Sequence, residues 1–323
     1  MSRVQRGRSV CLSAVIMLLL LLTTTGVALA GPVGDPGAPP AGESVDSHSL
    51  PCSQPVEFNR HDFPNRPVID NQWTPFVPGT QFILEGRANR GGGPLPHRVV
   101  LTITDLTKVI DGVRTVVSWD RDYGEAGLAP DAPDVEDPET LFNPLQLQES
   151  ELAFNAQDED GNVWNLGEYP EEYENGHLTG APNTWIPGVH GAKAGLLMRA
   201  HPRLKTSRYL QGYSPRIDFL DCAKVFQTHQ RVCVPANCYP DVLVTDENSP
   251  LAPEDGHQRK FYAAGVGNVQ ITAVNDPEGE TLVLVKINHL SARALATIHR
   301  KALELDNRGY QISEVYRHTE HAR

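Results

Sequence analysis

The fold class of this chain is decided by residues 99–117, which read VVLTITDLTKVIDGVRTVV. From Val99 to Thr104 the side chains follow a period of two and are rich in β-branched residues, which is typical of a β-strand. Asp111-Gly112 then separates two apolar runs. This dipeptide favours a two-residue hairpin turn, because both central positions need a positive φ. The stretch therefore predicts two neighbouring antiparallel strands.

Short runs of the same kind recur along most of the 323 residues, punctuated by 27 glycines and 26 prolines. The connections are mostly too short for crossover helices, so neighbouring strands should pair antiparallel. Asn175-Gly176 predicts another hairpin turn. Further strands are expected within residues 81–85, 152–154, 163–166, 196–200, 208–211, 223–234, 242–246, 259–262, 269–274 and 282–287.

One helix is predicted near the C-terminus. An apolar stripe at helical spacing runs from Leu295 to Leu305. Ser291 is a suitable N-cap, and Gly309 predicts a left-handed stop. Together these patterns indicate a mainly β (α+β) fold, a curved antiparallel sheet or half-barrel with one C-terminal helix packed on it.

The first 30 residues predict a secretory signal peptide. Arginines at positions 3, 6 and 8 precede an apolar run that closes with Ala28-Leu29-Ala30, and these small residues suit signal peptidase. An uncleaved membrane anchor is the alternative. We expect a flexible Pro/Gly-rich linker over 31–56, an antiparallel β domain over 57–289, and a helix and tail packed on it over 290–323. The mature protein should be secreted, with no stable membrane insertion after signal cleavage.

Four cysteines remain once the signal peptide is removed, an even set that predicts disulfides in an oxidising compartment. Cys233 and Cys238 flank a turn-forming Val-Pro-Ala-Asn insert and suit a bridge across a hairpin. Cys52 and Cys222 would then pair by elimination. A metal site is the alternative, disfavoured because no C-x-x-C or paired-histidine spacing accompanies these cysteines.

Four longer motifs carry a family resemblance. They are FNAQDEDGNVW (154–164), GEYPEEY (167–173), WIPGVHGAKAG (185–195) and FYAAGVG (261–267). The chain resembles a family of secreted bacterial, mainly actinobacterial, proteins. That family has no established activity, so the resemblance implies no catalytic residues. The FYAAGVG element also looks like the late hairpin of periplasmic proteins of the lipoprotein-carrier type, which implies a curved antiparallel sheet.

The charged residues disfavour a nucleic-acid partner and suggest a glycosidase as one class of enzyme. With 28 Lys+Arg against 40 Asp+Glu the formal net charge is −12, which disfavours nucleic-acid binding. Glu168 with Asp120 or Glu172 could supply the two acids, roughly 5–10 Å apart, that a glycosidase requires. The aromatic side chains that could stack on sugar rings are Trp119, Trp164, Tyr169, Tyr173 and Trp185. The alternative is that these rings are core and hairpin pairs.

Carboxylates also suggest a metal site. Asp158 and Asp160 lie in an acidic turn of a kind that can bind calcium in the extracellular medium. The segment does not match the EF-hand pattern, and a polar β-turn on a solvated acidic face is the alternative. Calcium is therefore the one candidate ion, and no other cofactor is predicted.

A glycine-rich segment suggests a ligand-binding loop. His190 and Lys193 lie within residues 187–195, and His190 could also act as an acid or base. The alternative is a wide turn whose histidine bonds a backbone carbonyl. The leading hypothesis is a secreted binding protein for a small apolar or amphiphilic ligand, with a hydrolytic enzyme and a calcium-braced structural envelope protein as alternatives. The predicted ligand-binding residues are Trp164, Tyr173, Trp185, His190, Lys193 and Met198.

Overall fold

Thirteen strands and one α-helix make up the structure, a computed structural model that describes residues 50–53, 56–89, 93–124, 147–174 and 177–323. The predicted signal peptide, nearly all of the linker and the Asn175-Gly176 turn lie outside these residues. The helix, α1, spans Ala292–Ile312. The strands are β1 (Thr80–Asn89), β2 (Pro94–Ile110), β3 (Val113–Tyr123), β4 (Leu147–Gln157), β5 (Val163–Glu174), β6 (His177–Gly180), β7 (Lys193–Met198), β8 (Tyr209–Ser214), β9 (Phe219–Val234), β10 (Asn237–Asn248), β11 (His257–Ala263), β12 (Gly267–Val274) and β13 (Thr281–His289).

Twelve of the strands close into an antiparallel barrel, and β6 lies beside β5. Successive strands pair along the chain, β5 pairs with both β4 and β7, and β13 returns to β1 with Phe82 opposite Ile287. The expectation of a curved sheet or half-barrel is therefore corrected: the sheet is antiparallel, but it is closed. Closure leaves none of the twelve barrel strands with an unpaired edge.

The Asp111-Gly112 hairpin is confirmed. Ile110 lies opposite Val113 in the pairing of β2 with β3. Asp111 has φ 46° and Gly112 has φ 80°, so both central residues adopt the left-handed conformation that the turn requires. The other predicted strand segments also coincide with strands, except that β7 ends at Met198 and β8 begins at Tyr209, because the period-two pattern reports burial on one face of a pleated chain.

Helix α1 packs against the outside of the barrel wall. Its N-cap is Ser291, whose hydroxyl accepts a hydrogen bond from the Ala294 amide at 3.2 Å. Its buried face includes Ile298, Ala302 and Leu305. These side chains belong to one apolar cluster with residues of β2, β3 and β4, such as Leu106, Ile110, Val113, Val117, Leu152 and Phe154.

The prediction that Gly309 stops the helix is wrong. The helix continues to Ile312, and its C-cap, Ser313, is extended with φ −115°. Gly309 is instead buried against the ring of Tyr316: a Cβ at this position would lie 2.4 Å from the ring atom Cδ1. The glycine is required because the helix and the tail approach each other too closely for any side chain.

Two disulfides join the predicted cysteine pairs. Cys52–Cys222 links residues 170 positions apart, and its cysteines lie in an apolar cluster with Leu210 and Leu220. Cys233–Cys238 closes the hairpin between β9 and β10. Among the described residues, no helix is sufficiently long and apolar to cross a membrane.

Candidate functional site

The barrel encloses a cavity of about 120 Å³, which we term the interior cavity. Its lining residues recur at every second position of a strand, as in Phe82 and Leu84, so they face the barrel interior. Thr74, Pro75 and Phe76, from the segment before β1, complete the wall next to the turn between β11 and β12. The strand side chains that make the wall mainly apolar are Phe82, Leu84, Val99, Leu101, Leu197, Tyr262, Ile271 and Leu282.

Two carboxylates form the polar end of this cavity. Asp120 on β3 and Glu151 on β4 are direct partners in the strand register and both line the cavity. Cβ atoms of such partners lie about 4.5–5.5 Å apart. The Glu151 side chain is buried at 1% exposure, whereas Asp120 is partly exposed, to the cavity that it lines. We refer to these two residues as the carboxylate pair.

Burial raises the pKa of both members of the pair. For Asp120, desolvation and the nearby Asp122 carboxylate raise the pKa to about 7, although Arg121 and His97 act against them. For Glu151, desolvation and the neighbouring carboxylates, with Glu168 first among them, hold the pKa well above its usual value. A raised carboxyl pKa means that the surroundings disfavour the negative charge.

The pair is also incompletely hydrogen-bonded. Within the described part of the chain, Oδ1 of Asp120 and Oε2 of Glu151 are buried and have no hydrogen-bond partner. Buried polar atoms without partners are uncommon in folded proteins and each requires an explanation. Two such atoms therefore lie at one end of the interior cavity.

The lysine beside the pair is already engaged. Lys260, on β11, lines the cavity and forms an ion pair with Glu247 at 2.8 Å. Glu247 also accepts from Thr245 at 2.6 Å. Since both groups are nine-tenths or more buried, the ion pair holds Lys260 to the wall at β10.

A second buried charge group lies further along the interior. His97 contacts Asp122 through Nε2 at 2.7 Å and Glu280 through Nδ1 at 3.1 Å. Burial alone would lower the pKa of His97, but the two carboxylates outweigh it and raise this pKa to about 9. This histidine is therefore a cation at neutral pH, held between two anions.

Asp120 lines the interior cavity, and Glu168 lies on the inner face of β5, opposite Ala153. Glu168 accepts hydrogen bonds from Asn165 at 2.7 Å and from the Trp185 indole at 2.9 Å. Glu172 lies on the same face of β5, opposite Glu149, but it does not line the cavity and its carboxylate accepts from Asn183 at 2.8 Å. The structure therefore brings Asp120 together with Glu151, a residue that the sequence analysis did not select.

The predicted binding residues are dispersed. His190 is exposed at the surface, has φ 49° and lies 3.4 Å from Glu314. Trp164 packs against Phe58 and Phe63. None of the other predicted residues lines the interior cavity: Tyr173 donates to Glu171, Trp185 packs on Phe219, and Lys193 begins β7. Met198 ends β7 in the apolar cluster that also contains wall residues such as Phe82 and Leu282.

The selected aromatic rings are also not grouped around the carboxylate pair. None of the five aromatic residues selected as a sugar platform lines the interior cavity. Trp119, for example, donates to Ser150, and Tyr169 packs against Tyr316 beneath α1. The arrangement that a glycosidase would need is therefore not assembled around the carboxylate pair.

The predicted calcium turn uses its carboxylate internally. Asp158 accepts from the Asn162 amide at 2.8 Å and from the Trp164 indole at 2.8 Å. In the part of the chain that the structure describes, no three histidine, cysteine or acidic side chains are grouped so as to hold a metal ion. Asp158 therefore has a structural role in this turn, because its hydrogen bonds shape the connection between β4 and β5.

The sequence contained a signal for the missed residues. Glu149, Glu151, Ala153 and Asn155 occupy every second position of β4, and the last three line the cavity. Only residues 152–154 of this strand were predicted from the sequence. The alternating polar positions could have indicated a strand with a polar inner face.

Comparisons with known proteins give little further information. No protein-family model matches the chain, and no curated protein is significantly similar to it. Among solved structures, a candidate lipoprotein of Parabacteroides distasonis is similar at 11% identity and a TM-score of 0.32, over 68% of this chain and 99% of that chain. A candidate exported protein with a YmcC-like fold from Bacteroides fragilis is similar at 14% identity and a TM-score of 0.32, over the same shares. At these scores the likeness carries no argument about function, and the actinobacterial resemblance stays a prediction.

Proposed function

We propose that this protein is an exported binding protein that holds a small amphiphilic ligand in the interior cavity. The observation that carries the proposal is the cavity itself, with an apolar wall and the carboxylate pair at one end. Small-molecule sites are usually concave and mainly apolar, with a few polar groups that orient the ligand.

The volume of the cavity limits the ligand to a small molecule. At about 120 Å³ the cavity is similar to an engineered apolar cavity of about 150 Å³ that binds benzene. A single ring or a short hydrocarbon chain therefore fits. The apolar body would pack against Phe82, Val99 and Leu282, and the polar group would reach the carboxylate pair.

Export is supported by the sequence and by the disulfides. The first 30 residues carry the charge and hydropathy pattern of a signal peptide. Two disulfides, one joining residues 170 positions apart, are typical of proteins that fold in an oxidising compartment.

The proposal is tested in two steps. Native mass spectrometry of the protein recovered from culture medium would show whether a small molecule co-purifies. Calorimetric titration with benzyl alcohol would then measure binding by the emptied protein. We expect saturable binding, reduced at least tenfold by Ala153→Leu, because Ala153 lines the cavity and the added carbons occupy it.

The matched control is Ala296→Leu, the same change at an exposed position of α1. It should leave the affinity for benzyl alcohol unchanged. Absence of saturable binding to the wild-type protein, or equal binding by the Ala153→Leu variant, would show that the cavity is not a ligand site.

A further inference from the structure

The polar end of the interior cavity presents buried carboxylate oxygens without partners, and we propose that it binds the positively charged head of a small amine. This inference rests on the proposed function and specifies its ligand class. The ammonium group would contact the carboxylate pair, and the hydrocarbon body of the amine would lie against the apolar wall.

The first support is the unpartnered side chain itself. Glu151 is 1% exposed and lines the cavity, and within the described residues its Oε2 atom has no hydrogen-bond partner. Oδ1 of Asp120, on the adjacent strand, is also buried without a hydrogen-bond partner. Both atoms are acceptors when the carboxyls are ionised, so the missing group is a hydrogen-bond donor.

The second support is the sign of the surrounding charge. Glu168 and Glu149 lie near enough to Glu151 to raise its pKa further, as Asp122 does for Asp120. Two nearby buried cations are already paired, Lys260 with Glu247 and His97 with Asp122 and Glu280. A third, Arg121, alternates to the opposite face of β3 from Asp120, and its guanidinium lies 4.4 Å from the centre of the Trp119 ring. A cation added at the pair would therefore relieve the repulsion between these carboxylates.

Geometry and wall chemistry favour an ammonium group over a metal ion. An ammonium carries three donors, and register partners on adjacent strands place two acceptors side by side. Calcium needs about six to eight oxygen ligands, whereas the described residues contain no group of three acidic or histidine side chains suited to a metal. The apolar wall also suits an amine with a hydrocarbon body.

Three ligands with one ring and different heads test the inference. The mature full-length protein is titrated by calorimetry at pH 8 with benzylamine, benzyl alcohol and benzoate. We expect benzylamine to bind at least tenfold more tightly than benzyl alcohol, and benzoate to bind more weakly than both. All three ligands share the ring and differ in the charge of the head group, so the order of their affinities reports the charge preference of the cavity.

The outcomes separate the two proposals. If benzyl alcohol binds as tightly as benzylamine, or more tightly, the cavity is a ligand site but the cationic subsite is overturned. If none of the three ligands binds, the proposed function itself fails. Both results come from the wild-type protein, so they do not depend on whether a variant folds.

Variants locate the charge preference. Glu151→Gln and Asp120→Asn should each reduce benzylamine binding at least fivefold, while the affinity for benzyl alcohol changes less than twofold. Glu172→Gln, which removes a carboxylate outside the cavity, is the matched control and should leave both affinities unchanged. Equal losses for both ligands would indicate a structural effect and would count against the cationic subsite.

The pH profile gives an independent readout. Deprotonation of Asp120, whose pKa is raised to about 7, should strengthen benzylamine binding between pH 6 and pH 8, where the amine stays protonated. Binding of benzyl alcohol should stay constant, and a flat profile for benzylamine would contradict the role of Asp120.

The charged or titratable neighbours that act on the pair or line the interior beside it are His97, Arg121, Asp122, Glu149, Glu168, Asp221, Glu247, Lys260 and Tyr262.

Discussion

The barrel buries charged groups on both of its faces, and two of these groups differ in how completely they are paired. On the outer face, beneath α1, Lys108 contacts Asp306 at 2.6 Å, the Tyr310 hydroxyl at 2.7 Å and the Glu320 carbonyl at 2.5 Å. On the inner face, the carboxylate pair keeps two oxygens without partners among the described residues. The outer group is complete by itself, whereas the inner group is not.

The difference indicates what each group is for. A buried ion with a full set of partners can have a purely structural role, because its desolvation is offset by its contacts. Glu171 is another example: it accepts two hydrogen bonds from Arg308 at 2.8 Å and others from Tyr169 and Tyr173. An incomplete buried group lowers stability, and a ligand that completes it gives a reason for its presence.

The largest effect is expected on the outer face. Asp306→Asn should lower the free energy of unfolding by about 3–5 kcal/mol, because it leaves the Lys108 ammonium buried without its carboxylate. Urea denaturation measures the change. Glu304→Gln, which removes an exposed carboxylate of the same helix, is the control and should cost about 1 kcal/mol or less. Equal losses for the two variants would mean that the buried carboxylate of Asp306 contributes no more to stability than the exposed carboxylate of Glu304.

Added volume should also be tolerated differently on the two faces. Gly309→Ala should lower the free energy of unfolding by about 1–3 kcal/mol, because its Cβ would overlap the Tyr316 ring. Ala153→Val adds two carbons inside the cavity and should cost less than about 1 kcal/mol. Thermal unfolding of both variants at one pH makes the comparison. A greater loss for Ala153→Val would show that the interior is packed as tightly as the outer face.

On the inner face, removing a charge should have the opposite sign. Glu151→Gln should raise the free energy of unfolding at pH 8 by about 1–3 kcal/mol, because on folding Glu151 must either bury a charge that lacks a partner or take up a proton. Urea denaturation of the ligand-free protein measures it. Destabilisation by this variant would mean that the Glu151 carboxylate supports the fold as Asp306 does.

The last comparison is a pH dependence of stability. Because the pKa of Asp120 is raised to about 7 in the folded protein, the folded state binds this proton more tightly than the unfolded state does. The resulting stabilisation is complete below the usual carboxyl pKa and is lost as the pH rises through about 7. Between pH 5 and pH 8, wild type should lose about 2–3 kcal/mol more stability than Asp120→Asn, because the folded state keeps the extra proton over about two pH units at about 1.4 kcal/mol each. Parallel pH profiles for the two proteins would contradict this assignment.

The local elements could be predicted from the sequence, whereas the closure of the barrel could not. The Asp111-Gly112 hairpin and the Ser291 cap depend on neighbouring residues, and both are confirmed. Closure requires β13 to pair with β1, and the pairing of Phe82 with Ile287 joins residues far apart in sequence. Alternation identifies each strand, but it does not identify which distant strand lies beside it.

The candidate site was predictable in part. Asp120 was selected from the sequence because acids were dense around it, and it lines the cavity. Its partner Glu151 lay just before the predicted strand residues 152–154 and was not selected. His190 and Lys193 were selected because glycines surround them, but these glycines shape a surface turn around His190. Residue type suggested chemistry, but only strand register showed which acids are neighbours.

The sequence by itself determined the strands, the hairpin at Asp111, the start of the C-terminal helix and the two cysteine pairs. These features depend on local backbone preferences, periodic burial and spacing, which are written in short segments. The tertiary structure alone decided that the sheet closes and that Asp120 meets Glu151 inside it. It also decided that Gly309 accommodates Tyr316. Those outcomes depend on contacts between distant segments, where burial and repulsion arise only once the chain has folded.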